Sequence, residues 1–172
     1  MISRRFIHRR RFVPRSAVCL ALLVLGFALQ VSTARACFGP KLYIGLGDAA
    51  EQRAFYAVVA LYIKEKTGVE TVAVPLEGAD PLHFLREKRV DMAFAPDLAE
   101  EFTPLVTAAG VPYLLSGRRP LEELQFTTVA PALQRLDRLL TPELFQALAA
   151  EVAAGAPPAA AARAFLMRQR WI

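Results

Sequence analysis

Cysteine and histidine are scarce in this chain, which contains two of each. Cys19 and His8 fall in an N-terminal stretch that we interpret as an export signal, which leaves Cys37 and His83. A single remaining cysteine excludes an internal disulfide. A single remaining histidine, with no second histidine or cysteine to share a metal, argues against a metal site, and we expect none. We interpret His83 as an exposed or partly packed residue on the first turn of a helix.

The sequence also lacks the usual patterns of catalytic and nucleotide-binding sites. No serine lies in a nucleophile turn, and Gly45-Leu46-Gly47 is not followed by the third glycine of a dinucleotide fingerprint. The acidic pairs at residues 100–101 and 122–123 are interpreted as surface charge. We therefore expect no catalytic residues, no cofactor and no enzymatic activity. Only a pocket that joined His83 to Asp80 or Glu87 would reopen the question.

Residues 1–36 have the composition of an export signal that is removed from the mature protein. Six arginines precede an apolar stretch at residues 17–31, and Ala34-Arg35-Ala36 has the small-x-small form of a cleavage site. The apolar stretch is shorter than the roughly 20 residues that a membrane span needs. We therefore expect cleavage after Ala36 and a periplasmic or secreted protein. An uncleaved anchor and twin-arginine export through Arg4 and Arg5 remain as alternatives.

Cys37 would be the first residue after this cleavage point. A cysteine in that position is typical of lipidation, but Arg35 departs from the small or apolar residues that precede such a cysteine. We favour a free or intermolecular thiol over a lipid anchor at Cys37.

The basic character of the whole chain belongs to the signal. The chain has 21 basic and 16 acidic residues, and residues 1–36 contain seven of the arginines and no acid. The mature chain therefore has 14 basic and 16 acidic residues, a net charge of −2. The basic pI of the whole chain therefore does not indicate a nucleic-acid or acidic-lipid partner, and we expect no nucleic-acid partner. The 136 remaining residues are enough for one domain.

Strand and helix patterns alternate in the first half of this domain. Period-two and apolar runs predict strands at residues 41–45, 69–74 and 90–95, and helical spacing predicts helices at 51–66 and 81–88. We expect Asp48 to cap the first helix together with Glu51, and Gly68 to end it. A short helix at 97–102, an extended segment at 111–115 and helices at 131–140, 142–154 and 158–170 follow. This order predicts an α/β fold with a short, mostly parallel sheet and a helical C-terminal segment.

Binding crevices of such sheets lie outside the carboxyl ends of the strands. We therefore place the candidate ligand site at residues 45–52 and 94–97. Phe94 is expected at a strand end, facing Gly47 and Asp48. An aromatic face with a nearby carboxylate suits a quaternary ammonium group, which hydrogen-bond acceptors alone cannot satisfy.

The order of motifs resembles the first lobe of the glycine betaine, choline and proline type of substrate-binding protein of ABC importers. The resemblance rests on Lys41-Leu42-Tyr43-Ile44-Gly45, on Glu51-Gln52 opening a helix that ends at Lys66-Thr67-Gly68-Val69, and on residues 90–94. Residues 140–144 and 162–166 are similar to the C-terminal helices of that family. The resemblance implies that the chain folds as a periplasmic-binding-protein-like lobe and has an importer permease as a partner.

Members of that family have two lobes that close on the ligand, but residues 98–127 are too few for a second lobe. We therefore expect residues 37–172 to form a single lobe that binds a quaternary ammonium compound weakly or with a partner. The expected ligand-binding residues are Gly47, Asp48, Gln52, Phe94 and Asp97. The alternative is a periplasmic protein interaction module or a homodimer, without a transport role, that uses the face left by the missing lobe.

Overall fold

The computed structural model describes residues 39–108 and 110–172, so the predicted export signal and Cys37 lie outside the described residues. The strands in these ranges are β1 (Lys41–Leu46), β2 (Glu70–Pro75), β3 (Met92–Ala95), β4 (Thr103–Val106) and β5 (Tyr113–Ser116). The α-helices are α1 (Ala50–Thr67), α2 (Pro81–Arg86), α3 (Arg119–Glu122), α4 (Val129–Leu139), α5 (Pro142–Ala153) and α6 (Pro158–Arg168). One turn of 3-10 helix spans Leu124–Phe126.

The five strands form one sheet in the spatial order β2, β1, β3, β5 and β4. β1 is parallel to β2 and to β3, whereas β5 is antiparallel to β3 and to β4. The sheet is therefore mostly parallel, with β5 as the strand of opposite direction. Helices α1 and α2 provide the crossovers that parallel strands require. The predicted α/β class, with helices flanking the sheet and a helical C-terminal segment, is confirmed.

Helix α1 forms the centre of the larger core. Its 18 residues lie between the sheet and the C-terminal helices, which explains why apolar side chains extend beyond one stripe of the helix. The ring of Phe55 lies 5.1 Å from that of Phe94 and 5.4 Å from that of Phe145, measured between centroids. These aromatic contacts connect α1 to β3 and α5.

The two ends of α1 differ from each other in how well the sequence predicted them. Gly68 ends the helix as expected, with φ of 73° and its N–H donating to the carbonyl of Lys64. The predicted cap at Asp48 is wrong, because the N-cap position is Ala49 and no side chain caps the helix. Gln52, one turn into the helix, instead accepts a hydrogen bond from the backbone N–H of Gly47.

The opposite face of the sheet is covered by α2 and its flanking loops. Phe84 and Leu85 of α2 pack with Leu76, Ala93 and Leu115 in a second, smaller core. Asp80 caps this helix, since its Oδ1 accepts a hydrogen bond from the N–H of Leu82 at 2.9 Å, and Pro81 is the first helical residue. The sheet is thus buried on both faces around β3.

The C-terminal helices begin and end close to the predicted positions. Thr141 is the N-cap of α5 and its hydroxyl accepts from the N–H of Leu144 at 3.4 Å. At the end of the chain, the rings of Phe165 and Trp171 meet edge to face at 5.4 Å. No helix in the described part of the chain is both long enough and apolar enough to cross a bilayer.

The segment between β3 and α4 departs most from the sequence prediction. Residues 97–102 form turns and bends instead of the expected short helix, and Phe102 donates only a turn hydrogen bond to Ala99. Six residues without a strong cap are too few to stabilise a helix on their own. The extended segment predicted at 111–115 is β5, and β4 and α3 were not predicted at all. β4 and β5 join the same sheet as β1.

Candidate functional site

The ends of β1 and β3 bring two candidate segments to one edge of the sheet. Gly45 of β1 is paired with Ala93 of β3, and the strands are parallel. The chain therefore leaves both strands at the same edge, through residues 47–49 after β1 and residues 96–98 after β3. We call this the carboxyl edge. It is the place where ligands bind in open α/β sheets.

The first of these segments is held by a hydrogen bond inside its own turn. The backbone N–H of Gly47 donates to Oε1 of Gln52 at 2.6 Å. A Cβ atom on residue 47 would lie 3.2 Å from that same oxygen, so the close approach favours glycine here. Gln52 is therefore committed to positioning the turn, and its carbonyl oxygen is not left open for a ligand. The structure thus brings Gly47 and Gln52 together, and their hydrogen bond fixes the turn after β1.

Three carboxylates project at or beside the carboxyl edge. Asp48 and Asp97 are exposed and lie in the turns after β1 and β3, and Glu51 is exposed in the first turn of α1. Among the described residues, no cationic side chain forms an ion pair with Asp48, Glu51 or Asp97. Negative charge at this edge is therefore not neutralised by close contacts within the domain.

Phe94 does not face the carboxyl edge as expected. Its side chain is 1% exposed and its ring packs against Phe55 in the larger core. Strand alternation accounts for this placement, because Met92 and Phe94 point to the α1 face while Ala93 and Ala95 point to the α2 face. The cation-contacting role that we expected for Phe94 is thus not supported by its position.

Tyr113 is the aromatic residue that the register places near this edge. It is half-buried, and it pairs with Ala95, the last residue of β3 before Pro96 and Asp97. The pairing of Tyr113 with Ala95 could not be predicted from the sequence, because the paired residues of β3 and β5 are 18 or more positions apart.

A shallow cleft of about 420 Å³ also lies by Glu51. Ala50 and Glu51 of α1, Gly110 and Pro112 before β5, and Gln146 of α5 contribute to its lining. It does not contain Gly47, Asp48, Gln52, Phe94 or Asp97. The five predicted site residues line none of the three clefts described here.

A larger cleft, of about 790 Å³, lies at the opposite end of the sheet. It contains a side-chain cluster that the sequence analysis missed, which we call the Asp91 cluster: Asp91, Arg119 and Glu123. Asp91 is 8% exposed, and its Oδ2 accepts from the N–H of Tyr43 and from Nη1 of Arg119, both at 2.8 Å. Arg119 also pairs with Glu123 at 3.3 Å and donates to the carbonyl of Lys41 at 3.3 Å.

Electrostatics identify the Asp91 cluster as a structural feature. Partial burial lowers the pKa of Arg119, but its hydrogen bond to Asp91 and the charges of Asp91 and Glu123 outweigh burial and raise the pKa overall. Two other cations of the cleft are paired as well, Arg86 with Glu101 at 2.6 Å and Arg118 with Glu122 at 3.9 Å. Since most of its charges are satisfied internally, the cleft offers little to a charged ligand.

The structure also places His83, the one histidine among the described residues. Nε2 of His83 lies 3.2 Å from Oε1 of Glu87, and both side chains are about half exposed on α2. Neither residue lines any of the three clefts described for this domain. Residues 39–108 and 110–172 contain no group of three or more histidine, cysteine, aspartate or glutamate side chains placed to hold a metal ion.

Comparison with known proteins adds no relative from which a role could be transferred. No protein-family model matches the sequence, and no curated protein or solved structure matches it either.

Proposed function

We propose that this chain is an exported single-lobe binding protein whose carboxyl edge receives a cationic group. The observation that carries the proposal is the set of carboxylates at Asp48, Glu51 and Asp97, which have no ion-pair partner among the described residues. Unpaired charge of one sign at the ligand edge of an α/β sheet attracts a ligand of the opposite sign. The ligand class that we propose is a quaternary ammonium compound such as choline or glycine betaine.

A quaternary ammonium group fits the chemistry of this edge. The group has no N–H to donate, so recognition depends on nearby negative charge and on aromatic faces. Asp48 and Asp97 supply the charge, and Tyr113 is the aromatic side chain next to the end of β3. Gln52 supports the site by holding the Gly47 turn. Phe94 supports it only through the packing of β3.

The openness of the edge implies a partner. Ligand sites in proteins bury about 70–90% of a small ligand, and the open edge of one lobe covers much less. We therefore propose that a second protein surface, such as an importer permease, completes the site. Without it, we expect binding of choline in the millimolar range, which corresponds to about 4 kcal/mol.

The test is an NMR titration of the ¹⁵N-labelled protein with choline and with its uncharged carbon isostere, 3,3-dimethylbutan-1-ol. We expect choline to shift the amides of residues 47–52 and of Asp97 and Leu98, and the isostere to leave them unchanged. The double variant Asp48→Asn/Asp97→Asn should weaken choline binding about fivefold to thirtyfold, because two exposed charges of about 0.5–1 kcal/mol each sum to about 1–2 kcal/mol. Equal shifts with both compounds would contradict the proposal.

Glu122→Gln serves as the matched control for this titration. Glu122 is exposed, belongs to α3 and lines the cleft at the opposite end of the sheet. We expect this variant to bind choline as the unaltered protein does. An equal loss in Glu122→Gln and in the double variant would show that only net charge matters, and it would argue against a site at the carboxyl edge.

A second candidate function is protein binding at the same edge without a small ligand. Leu98 in the turn after β3 is 56% exposed, so it presents an apolar side chain to a partner at this edge. In this case Leu98→Ser would abolish binding of an importer permease or another periplasmic protein, while choline would shift no amide. Dimerisation through the edge would appear as a dimer in light scattering that Leu98→Ser converts to a monomer.

A further inference from the structure

The outer strand β2 exposes backbone groups that no other element satisfies. β2 pairs only with β1, and the N–H of Leu76 donates to the carbonyl of Leu46. The N–H and C=O groups of successive residues point to opposite sides of a strand, so those of Thr71 and Ala73 point away from β1. Within the described residues, no backbone hydrogen bond from a turn or loop reaches either residue. Pro75 is tolerated in this strand because its missing N–H would also point outward.

The other outer strand is protected against pairing. β4 has four residues, contains Pro104 and has a register irregularity between Pro104 and Val106. A proline and an irregular register both weaken an edge as a template for another strand. β2 also contains a proline, but Pro75 is its last residue and its six residues are in continuous register with β1, so β2 is the more receptive edge of the sheet.

An apolar groove of about 680 Å³ lies beside this edge, and we call it the β2 groove. Its floor is formed by small and apolar side chains of α1, together with Ala73 of β2 and the start of α6. Thr71 faces the groove, since its hydroxyl lies 3.3 Å from that of Tyr56 on α1. A strand added next to β2 would therefore direct every second side chain into the groove.

The rim of the β2 groove is cationic, in a domain whose net charge is slightly negative. Arg53, Lys64 and Arg163 line it, with Glu70 as the acidic member. Lys64 is paired with Glu70 at 3.1 Å and Arg163 with Glu65 at 3.6 Å, but no described side chain pairs with Arg53. A second copy of this chain would add further cations to the same rim. Charge complementarity instead favours an acidic partner.

We propose that the β2 edge and the β2 groove bind an extended segment of another protein, which adds a sixth strand to the sheet. The segment carries apolar residues at alternate positions, which enter the groove, and acidic residues that meet Arg53 and Arg163. Main-chain hydrogen bonds to Thr71 and Ala73 supply part of the affinity, and the groove and its rim supply specificity. This surface is separate from the carboxyl edge and does not depend on choline binding.

The test uses a displayed library of random nine-residue peptides, selected on the purified protein. Selected peptides should combine alternating apolar residues with acidic residues, and a representative synthetic peptide should shift the amides of Thr71 and Ala73 in NMR spectra. Ala73→Pro removes one outward N–H and should lower the affinity for this peptide about tenfold, which corresponds to one lost hydrogen bond. Val74→Ala is the matched control, because Val74 packs on the opposite face of the sheet and the change keeps every outward N–H of β2.

Arg53→Glu/Arg163→Glu provides a second test that leaves the strand unchanged. This double variant should weaken peptide binding at least about tenfold. It tests the proposal by itself if Ala73→Pro does not fold. Failure to select acidic peptides would overturn the proposal. So would selected peptides whose binding is unaffected by Arg53→Glu/Arg163→Glu, or a dimer in sedimentation that uses the β2 edge.

Discussion

Replacement of Asp91 by alanine should destabilise the protein strongly, although the residue lies far from the carboxyl edge. The carboxylate of Asp91 accepts two hydrogen bonds at 2.8 Å, from the backbone N–H of Tyr43 and from Arg119. The backbone of Asp91 accepts a further bond from Gly117 at 2.9 Å. One residue thus joins the start of β1, the start of β3 and the chain after β5.

The size of the effect follows from the groups that lose a partner. An unsatisfied N–H costs about 1–3 kcal/mol, and the lower half of that range applies because Tyr43 is partly exposed and water reaches its surroundings. Arg119 is 38% exposed, so solvent screening limits the loss of its ion pair to about 1 kcal/mol. Together these losses amount to about 2–3 kcal/mol, a substantial part of the 5–15 kcal/mol typical of a domain.

Urea denaturation followed by circular dichroism measures this loss directly. With a slope of about 1–3 kcal/mol per molar urea, the midpoint for Asp91→Ala should fall by roughly 1–2 M. Asp91→Asn keeps an acceptor for Tyr43 and should lose only about 1 kcal/mol. Asp97→Ala, which removes an exposed carboxylate without an ion pair, should stay within about 0.5 kcal/mol of the unaltered protein. A loss below 0.5 kcal/mol for Asp91→Ala, with an unchanged slope, would refute this reasoning.

Three further substitutions test individual elements of the fold. Gly68→Ala should cost about 1–2 kcal/mol in thermal unfolding, because residue 68 has φ of 73°. Phe94→Leu should cost about 1 kcal/mol but leave the choline-induced amide shifts unchanged, since the ring belongs to the core. Thr141→Ala removes the N-cap of α5 and should cost about 1 kcal/mol. It should also raise the pKa of Glu143, measured by NMR, which its own backbone N–H and the Thr141 hydroxyl hold below the usual range.

The features that the sequence predicted well are those decided by neighbouring residues. The end of α1 at Gly68 depends on one glycine after a helical pattern, and the start of α2 depends on Asp80 followed by proline. Capping and backbone conformation act within about four residues, so the sequence alone contains the information. The same holds for the start of α5 at Thr141.

The sequence prediction failed for features that depend on contacts between residues far apart in the chain. Both faces of β3 are buried, so apolar content could not show that Phe94 points to α1 and not to the carboxyl edge. The neighbour that settles this is Phe55, which lies far from Phe94 in sequence and also packs against Phe145. The same limitation hid Arg119, which is 28 positions from its partner Asp91. Short elements such as β4 gave too little periodic signal to detect.

The two ends of the sheet differ in how their charges are used. At the amino ends of β1 and β3, Asp91 and Arg119 are joined by hydrogen bonds, and their interaction holds strands and loops together. At the carboxyl edge, Asp48 and Asp97 are exposed and make no ion pair among the described residues, so they contribute little to stability. Charges that the fold does not need remain available for a ligand. This separation is the physical reason to seek binding at the carboxyl edge, even though the opposite end has the larger cleft.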